Sequence, residues 1–346
     1  MASNDISATR RNRFWLYAPF TLLILIAIAW SAGWFVVRDR AVSAIDRFLA
    51  VEAAAGRQWT CEDRSVSGYP FRIEVSCKTV ALQRGPVTAS AGRLLAVAQV
   101  YKPRHIITSL EGPFRLSDDT ISVTGAWDLL ETSFHGIQGG FQRASLVTER
   151  PRIEITGVAP DLLRLESEHL EAHLRPNPRR PAEKAYDVAL STVRTRLPLL
   201  DQLLGGNEAA DLAVDLTATE AEGFRGRPIA QELERWRQAN GKLEILMLSL
   251  SKGTSRLQAK GGLQLDELHR LEGELNVAAA GLTGLISRLT GNRSSGALLG
   301  AILGQAPEPG TGPANGLTPL PPLQLENGRV LIGPFAIPNL RLPPLY

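Results

Sequence analysis

From Phe14 to Val37 the chain runs for 24 residues without a charged side chain, and this stretch constrains where everything after it can fold. As a helix it extends about 36 Å at roughly 1.5 Å per residue, enough to cross a hydrocarbon core of about 30 Å with some tilt. Trp15 and Tyr17 lie near one end, and Trp30 and Trp34 near the other, the pattern of an interfacial aromatic belt. Arg10, Arg11 and Arg13 precede the segment; Arg38 and Arg40 follow it, with Asp39 between them. The charge difference holds the N-terminus in the cytoplasm only slightly, but a long following domain translocates largely regardless of two arginines. The expectation is a cytoplasmic N-terminus over residues 1–13 and a single-pass inner-membrane anchor at Phe14–Val37, with the rest of the chain in the periplasm. The alternative is a cleavable signal peptide, since Ala27-Ile28-Ala29 offers a small-residue cleavage pattern. Apolar sequence continues to Val37, longer than a normal signal core, and either reading exports the domain.

Behind the anchor the apolar period is first helical. Val42, Ile45, Leu49 and Ala53 share one stripe before Gly56, which predicts a stalk-like helix over residues 38–56. From Trp59 the period becomes two. Ile73, Val75 and Cys77 alternate with Arg72, Glu74, Ser76 and Lys78; Ile153 and Ile155 alternate with Arg152, Glu154 and Thr156. Leu170, Ala172 and Leu174 alternate with His169, Glu171, His173 and Arg175, and further runs begin at Leu243-Ile245-Met247 and Leu275-Val277. Each run is short and bounded by Gly, Pro, Asn or Asp, as in antiparallel strands with one buried face. Residues 57–304 are therefore expected to form the exported β-rich domain. Helices are predicted at Pro198–Leu204, Ile229–Asn240, Leu282–Leu289 and Ala297–Leu303. A Pro/Gly-rich linker is predicted over residues 305–319. A hairpin over Pro322–Ile332 turns on Asn327-Gly328, and the tail to residue 346 packs at a sheet edge. The fold class is mainly β with minor α: an N-terminal transmembrane helix, then a large curved antiparallel sheet with a few short helices. No repeat of fixed length is visible.

The chain holds two cysteines, too few for a disulfide scaffold or a Cys₄ zinc site. Cys61 and Cys77 each lie eight residues from Tyr69 in the turn-like Gly68-Tyr69-Pro70. A hairpin centred there would set them face to face, and an oxidising compartment would close them into a disulfide; two buried thiols are the alternative. His169 and His173 alternate as strand residues, and four strand residues span about 13 Å, too far to share one zinc ion. Gly136-Ile137-Gln138-Gly139-Gly140 lacks the lysine of a phosphate loop, and the acidic pairs Asp118-Asp119 and Glu166/Glu168 read as solvated faces. The sequon Asn292-Arg293-Ser294 matches the glycosylation pattern. No catalytic, metal-ligating or cofactor-binding residue is assigned, and no cofactor is expected. Net charge is only +3 with no basic run interleaved with aromatics, so no nucleic-acid partner is expected.

The stretch Arg64 to Arg72, containing Gly68-Tyr69-Pro70-Phe71-Arg72 between its bracketing cysteines, resembles the signature of an uncharacterised alphaproteobacterial family, domain of unknown function 2125. Trp236 to Leu265 is similar as well, and so is the ending Glu326-Asn327-Gly328-Arg329 with Gly333-Pro334. The resemblance implies a membrane-anchored envelope protein with no assigned activity, and it brings no catalytic residue. The same ending has a distant architectural likeness to AsmA-like envelope proteins, in which long curved sheets form lipid-accommodating grooves. The leading functional expectation is a periplasmic module that binds or transfers a lipid-like ligand in a sheet groove. The alternatives are a structural or protein-interaction component of the envelope and, last, an exported hydrolase. Expected partners are the inner membrane through Phe14–Val37, a lipid or amphiphile, and an envelope protein.

Overall fold

The computed structural model describes residues 14–138, 140–157, 163–198, 200–201, 206–223, 228–281 and 316–346. The predicted helices at Leu282–Leu289 and Ala297–Leu303, the sequon at 292–294, and most of the predicted helix at Pro198–Leu204 and of the linker at 305–319 lie outside them. Anchor and stalk are one element: α1 (Phe14–Ala54) is a single 41-residue helix. Its last turn closes with the Arg57 N–H on the Glu52 carbonyl at 2.9 Å and the Arg57 guanidinium on the Glu52 carboxylate.

Strands follow at once: β1 (Gln58–Cys61), β2 (Ser65–Ser67), β3 (Arg72–Cys77), β4 (Val80–Arg84), β5 (Val87–Ala91), β6 (Leu94–Gln99) and β7 (Lys102–Leu110). Then come β8 (Phe114–Ser117), β9 (Ser122–Ala126), β10 (Leu129–Ile137), β11 (Gly140–Glu149), β12 (Arg152–Thr156), β13 (Leu163–Glu166), β14 (His169–Pro176) and β15 (Tyr186–Thr195). The remainder is β16 (Ala210–Ala218), α2 (Ile229–Gln238), β17 (Leu243–Lys252), β18 (Ser255–Leu265), β19 (Leu271–Ala280), β20 (Thr318–Pro319), β21 (Leu323–Glu326), β22 (Arg329–Ile332) and β23 (Phe335–Arg341). The predicted helix at Ile229–Asn240 and the Asn327-Gly328 hairpin are thus both present, and the tail is the edge strand β23.

These strands make two open antiparallel sheets. The short one has seven strands in the order β1-β4-β5-β8-β9-β12-β13; the long one has sixteen, starting β2-β3-β6-β7-β10-β11-β14-β15 and ending at β23. Hairpins alternate between the sheets along the chain, so each sheet grows by one hairpin per cycle. The units of the long sheet start at Ser65, Leu94, Leu129 and His169, 29, 35 and 40 residues apart. A lengthening unit explains why no fixed repeat shows in the sequence.

The chain changes sheet along one line of junctions. Backbone bonds continue across it: Gly92 N–H to Glu111 O at 3.0 Å, Asp128 N–H to Glu149 O at 2.9 Å and Arg150 N–H to Glu168 O at 2.9 Å. Pro113 and Pro151 sit on this line, where the absence of an N–H removes no ladder bond. Pro151 is fully buried.

The disulfide forms, with a Cα–Cα distance of 5.2 Å, but not as a facing hairpin pair. The register matches Ser65 with Ser76 and Cys61 with Val80, so the two cysteines are offset, one at the end of β1 in the short sheet and the other at the end of β3 in the long sheet. The change of sheet between Cys61 and Ser65, where Asp63 takes φ 49°, brings them together. The bridge therefore clamps the first strands of both sheets at the junction.

The packed core lies at the far end of the long sheet. Ile245, Leu263, Leu325 and Val330 are buried together against Leu243, Leu248, Leu275 and Ile337. Alternation fails in β17. A register shift between Ile245 and Leu248 leaves Leu246 exposed and sets Met247 opposite Asp215, so Leu248 rather than Met247 continues the apolar row.

Candidate functional site

The period-two pattern of each strand becomes a continuous surface only when the registers are followed across the long sheet. Ile73 is matched with Ala98, then Ile106, Phe134, Ala144 and Leu174. The row continues through Val188, Leu216, Ile245, Gly261 and Leu275 to Leu323, twelve strands without a polar side chain. A second row two residues along runs from Val75 and Ala96 through the pair Thr108–Thr132 to Leu146, Ala172, Leu190, Val214 and Leu248. The intervening row, on the opposite face, carries Glu74, Ser133, Ser145, His173 and Asp215. In these rows one face is therefore apolar but for the Thr108–Thr132 pair, and the other is mixed.

Coverage of that face is uneven. Ile73 at one end is 7% exposed and Ile245 towards the other is 9%, whereas Phe134 between them is 43% exposed. Phe134, Phe141 and Tyr186 stack in series at 5.9 and 5.6 Å between centroids. Half-exposed Ile, Leu and Phe side chains in register are an apolar surface with no other described part of the chain laid over it. The short sheet has a like row, Leu82, Ala89, Leu116, Val123, Ile155 and Leu163.

The buried end of the first row meets α1. The Trp34 indole N–H donates to the Arg72 carbonyl at 2.9 Å, next to Ile73, and the Trp30 N–H donates to the Pro70 carbonyl at 2.9 Å. The Ser31 hydroxyl lies 2.7 Å from the Tyr69 hydroxyl, and Trp34 meets the Tyr69 ring edge-on at 5.4 Å. Gly68 enters this turn at φ +103°, and a Cβ there would sit 2.7 Å from the Arg72 carbonyl oxygen, so the turn admits glycine alone. Below this contact α1 offers Leu22 to Ile28 fully outward, and it is long and apolar enough to cross a membrane.

The polar groups pair locally. His169 lies between Glu149 at 2.8 Å and Glu171 at 2.7 Å, and the Glu171 carboxylate also holds His173 at 3.2 Å. Hydrogen bonds to the carboxylates of Glu171 first and then Glu149 raise the His169 pKa above its ordinary value. Asp118 caps its own turn, accepting the Thr120 and Ile121 N–H groups at 2.7 Å, and Glu168 pairs with Arg194 at 2.7 Å. Lys252, buried, lies 2.8 Å from Asp201. Among the described residues no group of three or more His, Cys, Asp or Glu is arranged to hold a metal ion. One cluster escaped the sequence reading: the His105 and His135 rings stack at 3.7 Å beside Lys102, Arg104 and Arg143. Only the register that places β7 beside β10 brings these residues together, and single-strand periodicity carries no signal for it.

Residues 34–341 match the family model of uncharacterised proteins conserved in bacteria, DUF2125. The chain belongs to the DUF2125 family. No curated protein and no solved structure matches it significantly. The DUF2125 match begins at Trp34, the residue that docks on Arg72, and ends at Arg341, the last residue of β23. The family unit thus takes in both sheets, the disulfide and the Trp34–Arg72 bond, while the more apolar part of α1, with Trp30 and Ser31, precedes it.

Proposed function

We propose that this DUF2125 protein is an inner-membrane-anchored periplasmic module that holds the acyl part of a lipid-like ligand on the apolar face of its long sheet. The observation that carries the reading is the twelve-strand apolar row, covered towards both ends and, among the described residues, open between. Burying apolar area stabilises a complex by roughly 25 cal/mol per Å², so a row of half-exposed Ile, Phe and Leu favours an extended aliphatic partner over water. The row starts at the helix that the anchor reading sets in the bilayer, which gives a lipid a short path from leaflet to sheet. The reading needs no catalytic group.

A protein-interaction role through strand addition has less support. The edge strand β23 contains Pro338 and is followed by Pro343-Pro344, and the opposite edge, β2, is three residues long beside α1. Proline and short edges discourage pairing with another strand.

Native mass spectrometry of the full chain, released from nanodiscs under conditions that strip annular lipid, tests the reading. The wild type is expected to retain lipid and the Val188→Arg variant, charged in mid-row, to lose it. Lipid-free wild type in repeated preparations, or equal retention by both, contradicts it.

A further inference from the structure

We infer that the hairpin ends of the long sheet nearest α1 form a second membrane contact, seated in the non-cytoplasmic leaflet of the bilayer that α1 crosses. The inference rests on α1 being the spanning helix, and it adds a site that a simple tether on a soluble domain would lack.

Depth is the first argument. Trp30 precedes Arg38, the first charge after the apolar stretch, by eight residues, or about 12 Å along a helix axis. The Pro70 carbonyl is bonded to Trp30, and the Phe71 ring lies 6.1 Å from the Trp30 ring. The turn is therefore level with the apolar part of α1, and a bilayer that encloses Trp30 encloses the turn as well.

The turn is also built for that medium. Irregular backbone survives at membrane depth only where its polar groups find partners within the protein. Here the Gly68 carbonyl accepts the Arg72 N–H at 3.0 Å, Pro70 accepts Trp30, Phe71 accepts the Val100 N–H at 3.0 Å, and Arg72 accepts Trp34. Pro70 has no N–H to satisfy. The Ser31 hydroxyl bonds back to the Ala27 carbonyl at 2.7 Å as well as meeting Tyr69. These four bonded carbonyls, of Gly68, Pro70, Phe71 and Arg72, sit beside side chains that are not covered: Phe71 is 62% exposed and Tyr101, in the adjoining β6–β7 turn, 61%. Ile137 at the next hairpin end is exposed too. Water-facing turns in soluble proteins carry Gly, Asn and Asp; three successive hairpin ends tipped with Tyr, Phe and Ile suit a lipid interior.

Charge supplies the third argument. Just behind these tips, Lys102 and Arg104 line an open groove of about 350 Å³ with the stacked His105 and His135, and Arg143 lies 3.4 Å from the His135 ring. None of the three cations has a carboxylate within 4.0 Å among the described residues. Burial first, and then His105, Arg143 and Lys102, push the His135 pKa down. Apolar tips with cations that lack a carboxylate partner one tier behind match the order of a leaflet: acyl chains, then phosphate headgroups, each nearby Lys or Arg adding attraction to anionic lipid.

The test uses the full chain in vesicles of phosphatidylethanolamine and phosphatidylglycerol, with a nitroxide amino acid at one site at a time. Relaxation by oxygen against a water-soluble nickel chelate reads whether each site is in lipid. Labels at Phe71 and Tyr101 are expected to read as lipid-immersed, with Leu25 on α1 as the lipid standard and Thr88 on the short sheet as the water standard. Lys102→Glu with Arg104→Glu is expected to shift the Tyr101 label towards the Thr88 value and leave Leu25 in place. Phe71 and Tyr101 matching Thr88 while Leu25 stays in lipid overturns the second contact and leaves the anchor standing. Leu25 reading as water overturns the anchor and the contact together. A Tyr101 label unmoved by the charge reversal removes the headgroup role of the basic cluster.

Discussion

The indole N–H of Trp34 donates to the carbonyl of Arg72, 2.9 Å away and 38 residues along the chain. Trp34 belongs to α1 and Arg72 opens β3, so this bond ties the helix to the first full strand of the long sheet. It is also where the apolar row starts, since the next residue, Ile73, is its buried first member. Trp34→Phe keeps a ring against Tyr69 and removes the donor. A net loss of about 1 kcal/mol is expected, rising towards about 3 kcal/mol where the carbonyl is left buried and unpaired. Denaturant unfolding followed by tryptophan fluorescence measures it; an unchanged midpoint would show that the contact contributes nothing.

The sixteen-residue separation of Cys61 and Cys77 limits the unfolded chain when the bridge is closed. The chain-entropy relation gives about 3 kcal/mol for a loop of this length. Cys61→Ser with Cys77→Ser is expected to lose roughly that amount in oxidising buffer and nothing further on adding reductant. Wild type unaffected by reductant would contradict the bridge.

Two histidines should titrate on opposite sides of the ordinary value near 6.5. His169, bonded to Glu171 and Glu149, gains a proton more readily in the folded protein, so its contribution to stability is present at low pH and is lost as pH rises through its raised folded value. His135, desolvated and beside His105, Arg143 and Lys102, resists protonation, so acidification through its lowered value works against folding. Nitrogen-resolved NMR titration of the two rings checks the order, and His169→Gln should remove the stability lost above the ordinary histidine range. Coincident midpoints would contradict the arrangement.

Covered and open parts of one face should differ in cost. Leu325 is buried in the C-terminal core, and Leu325→Ala is expected to cost about 2–5 kcal/mol. Leu174 lies on the same face but is more than a third exposed, and Leu174→Ala in lipid-free protein is expected to cost less than about 1 kcal/mol. Equal costs would mean that the middle of the row is closed.

Much of the architecture was legible from local patterns. The uncharged stretch after Arg13 marked α1, alternation around Ile73, Ile153 and Leu170 marked strands, and Asn327-Gly328, both at positive φ, marked a hairpin. What could not be read is what registers and long-range pairing create. Nothing in the sequence near Cys77 tells that β3 and β4 belong to different sheets, and equal spacing about Tyr69 suggested a facing pair where the chain makes an offset clamp. Strand alternation identifies an apolar side for each run, but only the ladder from Ile73 to Leu323 shows that these sides align. The bulge at Ile245–Leu248 broke the alternation within a single run. Trp30 and Trp34 read as interfacial belt residues, yet their N–H groups serve a turn 38 to 40 residues away.

The central claim is that acyl chains lie on the open middle of the long sheet. Photocrosslinking in living cells tests it most directly, with a benzophenone side chain at Phe134 on the apolar row or at its neighbour Ser133 on the opposite face. Adducts of lipid mass at Phe134 and not at Ser133 are expected. Protein adducts alone at Phe134, or lipid captured equally at both positions, would contradict the account.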